Sequence, residues 1–272
     1  MTERPGRQDR TPTVGQVLRA ERVTPHLIRV VLGGPGLAEF TAGPYTDQYV
    51  KLLFPLDDAP DQRPSRRTYT VRRWDAGNRE LTIDVVEHGD RGLAGPWAAR
   101  VTPGERIAFL GPGGAYAPDP AVDWHLLAGD ESALPAIAAT LEQLPASARA
   151  QVLIEVSGPD EEQKLDAPGD ASITWLHRGD AVVGSALVPA VTQLDFPPGV
   201  LQAFVHGEAG FVKELRRHLL VERGIPREQV SISGYWRLGH DEDGWQASKR
   251  EWNRQVEAEQ DFTATIRGSH PA

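Results

Sequence analysis

The stretch Trp124-His-Leu-Leu-Ala-Gly129-Asp-Glu-Ser-Ala-Leu-Pro-Ala136 joins two segments of different character. Its first five residues are mostly apolar, as in a buried strand. Residues 131–144 have the composition of a helix, which Asp130 or Ser132 can cap. A strand, a short glycine-containing turn and a helix in this order predict one unit of a parallel α/β sheet.

Strands and helices continue to alternate after this unit. Further strands are predicted at 152–156, 173–176, 202–206 and 230–233, and a helix from about 209 to 223, where Gly224 ends it. This pattern predicts a Rossmann-like parallel-sheet domain over residues 119–240. A C-terminal helix over 241–261, within a final segment 241–272, is predicted to follow.

The first half of the chain has a different sequence pattern, in which short strand-like segments are separated by Gly and Pro. Six strands are predicted, at 14–23, 26–32, 47–54, 68–74, 81–87 and 106–110. In Leu81–Val85 apolar residues alternate with polar ones, which is typical of a half-buried strand. The pattern predicts a six-stranded antiparallel barrel over residues 12–118, preceded by a disordered leader at 1–11.

Composition excludes several classes of protein. The net charge of -9 argues against a nucleic-acid binder, and the absence of cysteine excludes disulfides, thiolate metal sites and cysteine nucleophiles. The eight histidines form no compact ligand motif, so no protein-held metal is expected. No apolar run has the length of a bilayer span or a signal peptide, and a cytoplasmic monomer is expected.

The segment Arg67-Thr-Tyr69-Thr70-Val71-Arg72 lies on a predicted strand. It resembles the R-x-Y-[ST] signature of ferredoxin-reductase-like flavoproteins. The resemblance implies that Arg67 pairs with the flavin pyrophosphate, that Tyr69 lies against the flavin, and that Thr70 and Val71 bond the ring edge. A guanidinium fork and a phenol plate suit those roles. The alternative is a strand whose polar side chains only decorate an exposed face.

Four more segments follow the signature: His88–Ala98, Gly111–Tyr116, Gly129–Ala136 and Ser233–Gly239. In this order and spacing, the chain from about residue 14 to 257 resembles the siderophore-interacting protein family. The family consists of FAD-containing, NAD(P)H-dependent ferric-siderophore reductases, with a barrel followed by a nucleotide-binding domain. The resemblance therefore implies that fold, FAD and NADPH or NADH as cofactors, and a ferric siderophore as substrate.

The resemblance extends the flavin site beyond the signature. Backbone amides of the glycine-rich turn at 92–97 can hold phosphate, although the chain has Ala94-Gly95 where related flavoproteins place Ser or Thr. His88 is either a neighbour of the flavin or a histidine at a strand end. The predicted flavin-binding residues are Arg67, Tyr69, Thr70, Val71, Asp84, His88, Gly92, Ala94 and Trp97.

The turn after the strand at 124–128 is assigned by the resemblance to NAD(P)H. The predicted residues are Gly129, Asp130, Glu131, Ser132 and Ala133, although no G-x-G-x-x-G fingerprint is present. Arg178 is the candidate residue for binding the 2′-phosphate of NADPH. The nearby acidic residue Glu155 disfavours a phosphate there, so the choice between NADH and NADPH stays open. The alternative is a capped helix start without a ligand. Tyr235 or Trp236 is predicted to cover one flavin face until nicotinamide arrives, and the alternative is that Trp236 packs as core.

Many ferric siderophores are anionic, so an acidic protein needs a local positive patch. The family places a basic trio between the barrel and the C-terminal segment, and Lys51, Arg237 and Lys249 match it best. The fallback residues are Arg100, Arg250 and Arg254. Lys249 lies within a helical stripe of Trp245, Trp252 and Val256, where a solvated lysine is the alternative reading.

The predicted activity is reduction of ferric siderophores by NAD(P)H through FAD, with no catalytic side chain, because the flavin carries the chemistry. Two alternatives remain: a general NAD(P)H:flavin or ferric-chelate reductase, and a non-enzymatic siderophore-binding module. An electron-transfer protein fed by ferredoxin is disfavoured, because the acidic second half offers no basic docking face for an acidic donor.

Overall fold

A computed structural model describes residues 11–55, 64–87 and 92–268, with side chains described as far as residue 259. The leader predicted at residues 1–11 lies outside these residues, apart from Thr11. So does His88.

The first half forms a closed antiparallel barrel of six strands. They are β1 (Thr13–Thr24), β2 (Leu27–Gly33), β3 (Tyr49–Phe54), β4 (Ser65–Asp75), β5 (Glu80–Val86) and β6 (Arg106–Gly113). Their order around the barrel is β1-β2-β5-β4-β3-β6. A short helix, α1 (Ala94–Arg100), lies between β5 and β6 in the chain.

Alternation of apolar residues along the strands builds the barrel core. Leu81, Ile83 and Val85 of β5 are fully buried, as the period-two pattern predicts. Val50 and Leu52 of β3 are buried beside them in the same cluster. Tyr49 and Lys51, which alternate with these two residues along β3, therefore lie on the opposite face of the strand.

The second half forms a parallel sheet. Its strands are β7 (Trp124–Gly129), β8 (Arg149–Val156), β9 (Asp170–His177), β10 (Leu201–Glu208) and β11 (Val230–Trp236), in the order β11-β10-β7-β8-β9. The helices are α2 (Leu134–Gln143), α3 (Leu187–Thr192), α4 (Ala209–Arg217) and α5 (Glu242–Gly268). The predicted fold class, a barrel followed by a Rossmann-like domain and a C-terminal helix, is confirmed.

The predicted start of α2 was wrong. Helix α2 begins at Leu134 rather than Glu131, and no side chain caps it. The reason is that the carboxylate of Asp130 bonds instead to Ser132, Glu208 and Trp236. The predicted helix 209–223 ends at the left-handed Gly224, as expected, but after Arg217 it continues as a single π-helical turn.

The barrel and the sheet meet through side chains of α2 and neighbouring loops. Thr140 of α2 donates a 2.8 Å hydrogen bond to Thr46 Oγ1, and both residues are buried. Arg72 of β4 pairs with Glu142, near the end of α2. These contacts hold β4, with its flavin signature, next to the parallel sheet.

Helix α5 returns from the sheet to the barrel. Its Trp245 is 1% exposed and donates a 3.0 Å hydrogen bond from Nε1 to the Tyr235 carbonyl of β11. Val256 is buried further along the same face, and Trp252 packs edge-on against Trp245. The predicted helical stripe is therefore the face by which α5 packs. Among the described helices, none is long and apolar enough to cross a membrane.

Candidate active site

The register of β3 and β4 places the flavin signature beside a lysine. Lys51 lies opposite Thr68, and the next pair along the strands is Leu52 with Arg67. Residues directly opposite in an antiparallel pair share a face, so Lys51 and Thr68 are neighbours on one side of the barrel wall.

Arg67 lies where β4 meets α5. Its Nη1 is 3.1 Å from Asp243 Oδ2 and donates a 2.8 Å hydrogen bond to the Arg66 carbonyl. The Arg67 side chain is 15% exposed, whereas that of Asp243 is 58% exposed. The predicted phosphate-binding guanidinium is thus held by an accessible carboxylate. Sequence reasoning missed Asp243, because nothing in the chain pattern links it to β4.

The other signature residues are largely buried. Tyr69 packs against the barrel core, and burial, with Glu242 nearby, raises the pKa of its phenol, so the ring stays neutral. Thr70 is buried. The Val71 side chain lies in the core, and its N–H donates to the Gln48 carbonyl at 2.6 Å, so that N–H is already engaged.

The turn before α1 offers backbone rather than side chains. Gly92 has φ of 79°, and no atom of the described residues, which do not include 88–91, is recorded within 4 Å of the position that a Cβ would take. The side chains of Ala94 and Trp97 pack into the barrel, Trp97 edge-on against Phe54 at 5.8 Å. A ligand at this turn would therefore meet main-chain groups at Gly92 rather than these two side chains.

Asp84, another predicted flavin-binding residue, already has a partner. Both of its carboxylate oxygens accept 2.7 Å hydrogen bonds from Arg29, which lies opposite it on β2. Asp84 is buried, and the paired charges account for its burial without a ligand. The structure gives no support for a contact between its carboxylate and a cofactor.

The chemical groups around Arg67 are of the types that a flavin dinucleotide needs for binding. Arg67 offers a guanidinium fork to a diphosphate, held at present by a carboxylate that a phosphate can replace. Tyr69 offers a neutral aromatic ring, and Gly92 an open turn. A cation, an aromatic plate and open backbone are the donor set that such a ligand needs.

A second group of predicted residues lies at the carboxyl edge of the parallel sheet. A Cβ on Gly129 would come within 2.6 Å of the His206 carbonyl, so the turn needs glycine. Asp130 is fully buried and accepts hydrogen bonds from Ser132, from the Glu208 N–H and from Trp236 Nε1. Burial nevertheless raises the pKa of Asp130 to about 6.

Glu131 connects this turn to Arg178. Glu131 Oε1 accepts a 3.0 Å hydrogen bond from the Ser157 N–H and lies 2.7 Å from Arg178 Nη1. Arg178 therefore lies beside the predicted nucleotide turn. Glu155, the acidic group weighed against a 2′-phosphate, is buried and accepts three backbone hydrogen bonds at the start of α3, so its charge is already satisfied.

The structure brings two of the three predicted substrate-binding cations together. Burial lowers the pKa of Lys249, and the nearby charge of Lys51 lowers it further, while Glu242 opposes the change. Lys51 Nζ lies 5.8 Å from the Tyr49 ring centroid, and Lys249 Nζ lies 5.9 Å from that of Trp245. Lys51 of β3 and Lys249 of α5 are therefore close enough for their charges to interact.

Arg237 follows β11 directly, next to Trp236 and the Asp130 turn. No contact with either lysine occurs in the described part of the chain. Of the fallback residues, Arg100 and Arg250 are exposed, and Arg254 is engaged with Glu251 on the solvent side of α5. The two-lysine junction is the better-defined cationic site.

An aromatic row leads away from this junction and was not predicted as a unit. The ring of His206 stacks on Phe204 at 4.0 Å and lies 4.9 Å from Tyr235. Burial and the charge of Lys249 lower the pKa of His206 to about 3, so it stays neutral. The described residues contain no group of three or more His, Asp or Glu placed to hold a metal ion.

Two family models match the chain. The siderophore-interacting FAD-binding domain matches residues 16–62 and 56–116, and the siderophore-interacting protein model matches residues 122–239. The chain belongs to the siderophore-interacting protein family.

Individual relatives match over most of their length. A siderophore utilization protein from T. fusca is 39% identical and has a TM-score of 0.78, over 85% of this chain and 94% of that one. The ferric vibriobactin reductase ViuB of Vibrio cholerae is 34% identical over 86% of this chain and 92% of its own. An NADPH-dependent ferric-chelate reductase of Escherichia coli is 30% identical over 81% and 91%.

Proposed function

We propose that this protein reduces ferric siderophores with electrons from NADPH or NADH, delivered through bound FAD, and so releases ferrous iron in the cytoplasm. The observation that carries the proposal is the junction of β3, β4 and α5, where Lys51 and Lys249 lie next to the strand of Arg67 and Tyr69. The names of the Vibrio cholerae and Escherichia coli relatives support the same activity.

The chain supplies the residues that would hold the flavin. Arg67 binds the diphosphate, Tyr69 supports the ring system, and the backbone at Gly92 receives phosphate. FAD would supply the exchange between the two-electron chemistry of a nicotinamide and the one-electron reduction of ferric iron, which no side chain of this protein can provide. Because Tyr69 remains protonated, it presents a neutral ring rather than a phenolate.

The turn 129–133 would receive the nicotinamide dinucleotide. It lies at the carboxyl ends of parallel strands, where open α/β sheets bind ligands. Arg178 is the group available to a 2′-phosphate, which would have to compete with Glu131 for it. Trp236, tied to Asp130, closes the same edge of the sheet.

Lys51 and Lys249 would attract the anionic chelate to the barrel face, with Arg237 as the third cation. Reduction of the iron weakens its bonds to hard oxygen donors, so the metal leaves while the chelator stays intact. The chain contributes position and charge to this reaction, and none of its groups has to act as a nucleophile or a base.

An anaerobic assay tests the proposal. The purified protein is mixed with FAD, NADPH or NADH, a ferric siderophore and a chromogenic ferrous chelator. We expect colour only when protein, flavin and nicotinamide are all present. Equal turnover of ferric citrate and ferric siderophores would favour the general ferric-chelate reductase, an activity that the name of the Escherichia coli relative indicates. Chelate binding by a protein that takes up no FAD would leave only the non-enzymatic binding module.

A further inference from the structure

Glu242, the first residue of α5, lies between two predicted binding surfaces: the flavin-binding surface at Arg67 and the substrate-binding surface at Lys51 and Lys249. Its Oε1 accepts a 3.1 Å hydrogen bond from Gln246 Nε2, one turn along the helix. The Thr68 side chain of β4 is close enough to interact with this carboxylate, and the adjacent Asp243 pairs with Arg67 of the same strand. Since Thr68 lies opposite Lys51, Glu242 is placed beside the pair of strands that carries the substrate lysine.

The charges around Glu242 belong to both surfaces. The charges of Arg67 and Lys249 interact with the carboxylate of Glu242. The charges of Lys51 and Glu242 interact with the ammonium group of Lys249. Arg67 is already paired with Asp243, so Glu242 is the half-buried carboxylate next to Lys249. Partly buried charges are screened less by solvent and salt than charges on an open surface. The carboxylate of Glu242 therefore has a strong electrostatic interaction with nearby charges.

The helix does not need the charge of Glu242 in order to begin. Asp241 supplies the cap, because its Oδ1 accepts a 2.7 Å hydrogen bond from the Gly244 N–H and its carbonyl accepts from the Trp245 N–H. Asp243 provides a further acid in the first turn for the helix dipole. A half-buried carboxylate is costly to keep, and a glutamine could make the same contacts with Gln246 and Thr68.

On the basis of the function proposed above, we propose that Glu242 sets the charge selectivity of the ferric-chelate site. Its negative charge offsets one of the two lysines. A chelate with several negative charges is therefore repelled by Glu242 while the lysines attract it, whereas a neutral chelate meets no such repulsion. Glu242 therefore reduces the advantage that the two lysines give to tris-catecholates with three negative charges over neutral tris-hydroxamates.

Binding of redox-inert gallium(III) complexes tests this without turnover. A neutral tris-hydroxamate and a triply negative tris-catecholate complex are titrated at low salt into the FAD-loaded wild type and Glu242→Gln, with tryptophan fluorescence as the readout. We expect Glu242→Gln to bind the triply negative complex about five- to tenfold more tightly and the neutral complex within about twofold of wild type. The gain shrinks at high salt.

Two control variants isolate the charge. Glu251→Gln removes an exposed carboxylate of the same helix and should leave both affinities unchanged. Glu242→Asp keeps the charge and should keep the wild-type preference. The Kd of FAD is measured on each variant, because Glu242 also acts on Arg67.

The outcomes separate the two proposals. If wild type binds neither complex, the proposed function fails. If wild type binds complexes and Glu242→Gln leaves both affinities unchanged, or changes both by the same factor, the role of Glu242 is overturned and the proposed function stands. A gain confined to the triply negative complex supports both.

Discussion

The indole of Trp236 donates a 2.8 Å hydrogen bond from Nε1 to Asp130 Oδ2. The same oxygen accepts a 2.9 Å hydrogen bond from the Glu208 N–H, and the other oxygen accepts from Ser132. One buried carboxylate thus joins the ends of β7, β10 and β11. These are the strand ends at which the predicted nucleotide-binding turn lies, so the shape of that turn depends on Asp130.

Stability should depend on the protonation of Asp130. Burial raises its pKa in the folded protein to about 6, above that of an unfolded aspartate. The folded state therefore binds the proton more tightly, and the contribution of Asp130 to stability falls as pH rises from about 4 to about 6. We expect the free energy of unfolding of wild type minus that of Asp130→Asn to be larger at pH 4.5 than at pH 7, measured by urea denaturation. A difference that does not vary with pH would contradict this.

The pairing of Arg67 with Asp243 gives a prediction about cofactor affinity. Asp243→Asn removes the carboxylate that pairs with Arg67, the guanidinium proposed to bind the flavin diphosphate. We expect the variant to bind FAD about two- to fivefold more tightly than wild type, because an ion pair with an exposed carboxylate is worth about 0.2–1 kcal/mol. Quenching of flavin fluorescence during titration of flavin-free protein measures the Kd. Weaker binding by Asp243→Asn would show that Asp243 positions Arg67 instead of competing for it.

Patterns along the chain were enough to predict the fold. Alternation in β5 and the apolar run of β7 follow from the faces that each strand buries, so both can be read from local sequence. Helix α3 was not predicted: it is six residues long, and Glu155 of β8 caps it through backbone bonds that no local pattern contains.

The candidate site was predicted less completely, because its contacts join residues far apart in sequence. The partner of Asp84 is Arg29 on another strand, and that of Arg67 is Asp243 on the last helix. No periodicity encodes such pairs. The family resemblance supplied Lys51 and Lys249, and the structure places them together, while their role in substrate binding stays a prediction.

The two lysines should control affinity for anionic chelates. Lys51→Gln and Lys249→Gln each remove a charge while leaving much of the side-chain stem, which in Lys249 lies near Trp245. We expect each variant to raise the KM for anionic ferric siderophores by about three- to tenfold at low salt, with FAD content unchanged. The ferrous-chelator assay gives the KM. Lys164→Gln, at an exposed lysine, is the matched control. Unchanged KM values in both site variants would rule out these two lysines as the substrate site.

Trp245 should decide whether α5 stays on the two domains. It is the most buried described residue of α5 and is anchored to Tyr235, while Lys249 lies one turn further along and Glu242 one turn before it. Trp245→Ala removes core packing worth about 3–5 kcal/mol, and this loss acts first on the docking of α5. We expect limited proteolysis to cleave within α5 far faster than in wild type, with a matching loss of anionic chelate binding. Trp252→Ala, at a half-buried position, should have a smaller effect. If Trp245→Ala resists the protease as wild type does, then the contacts of Asp243 with Arg67 and of Val256 are sufficient to dock the helix.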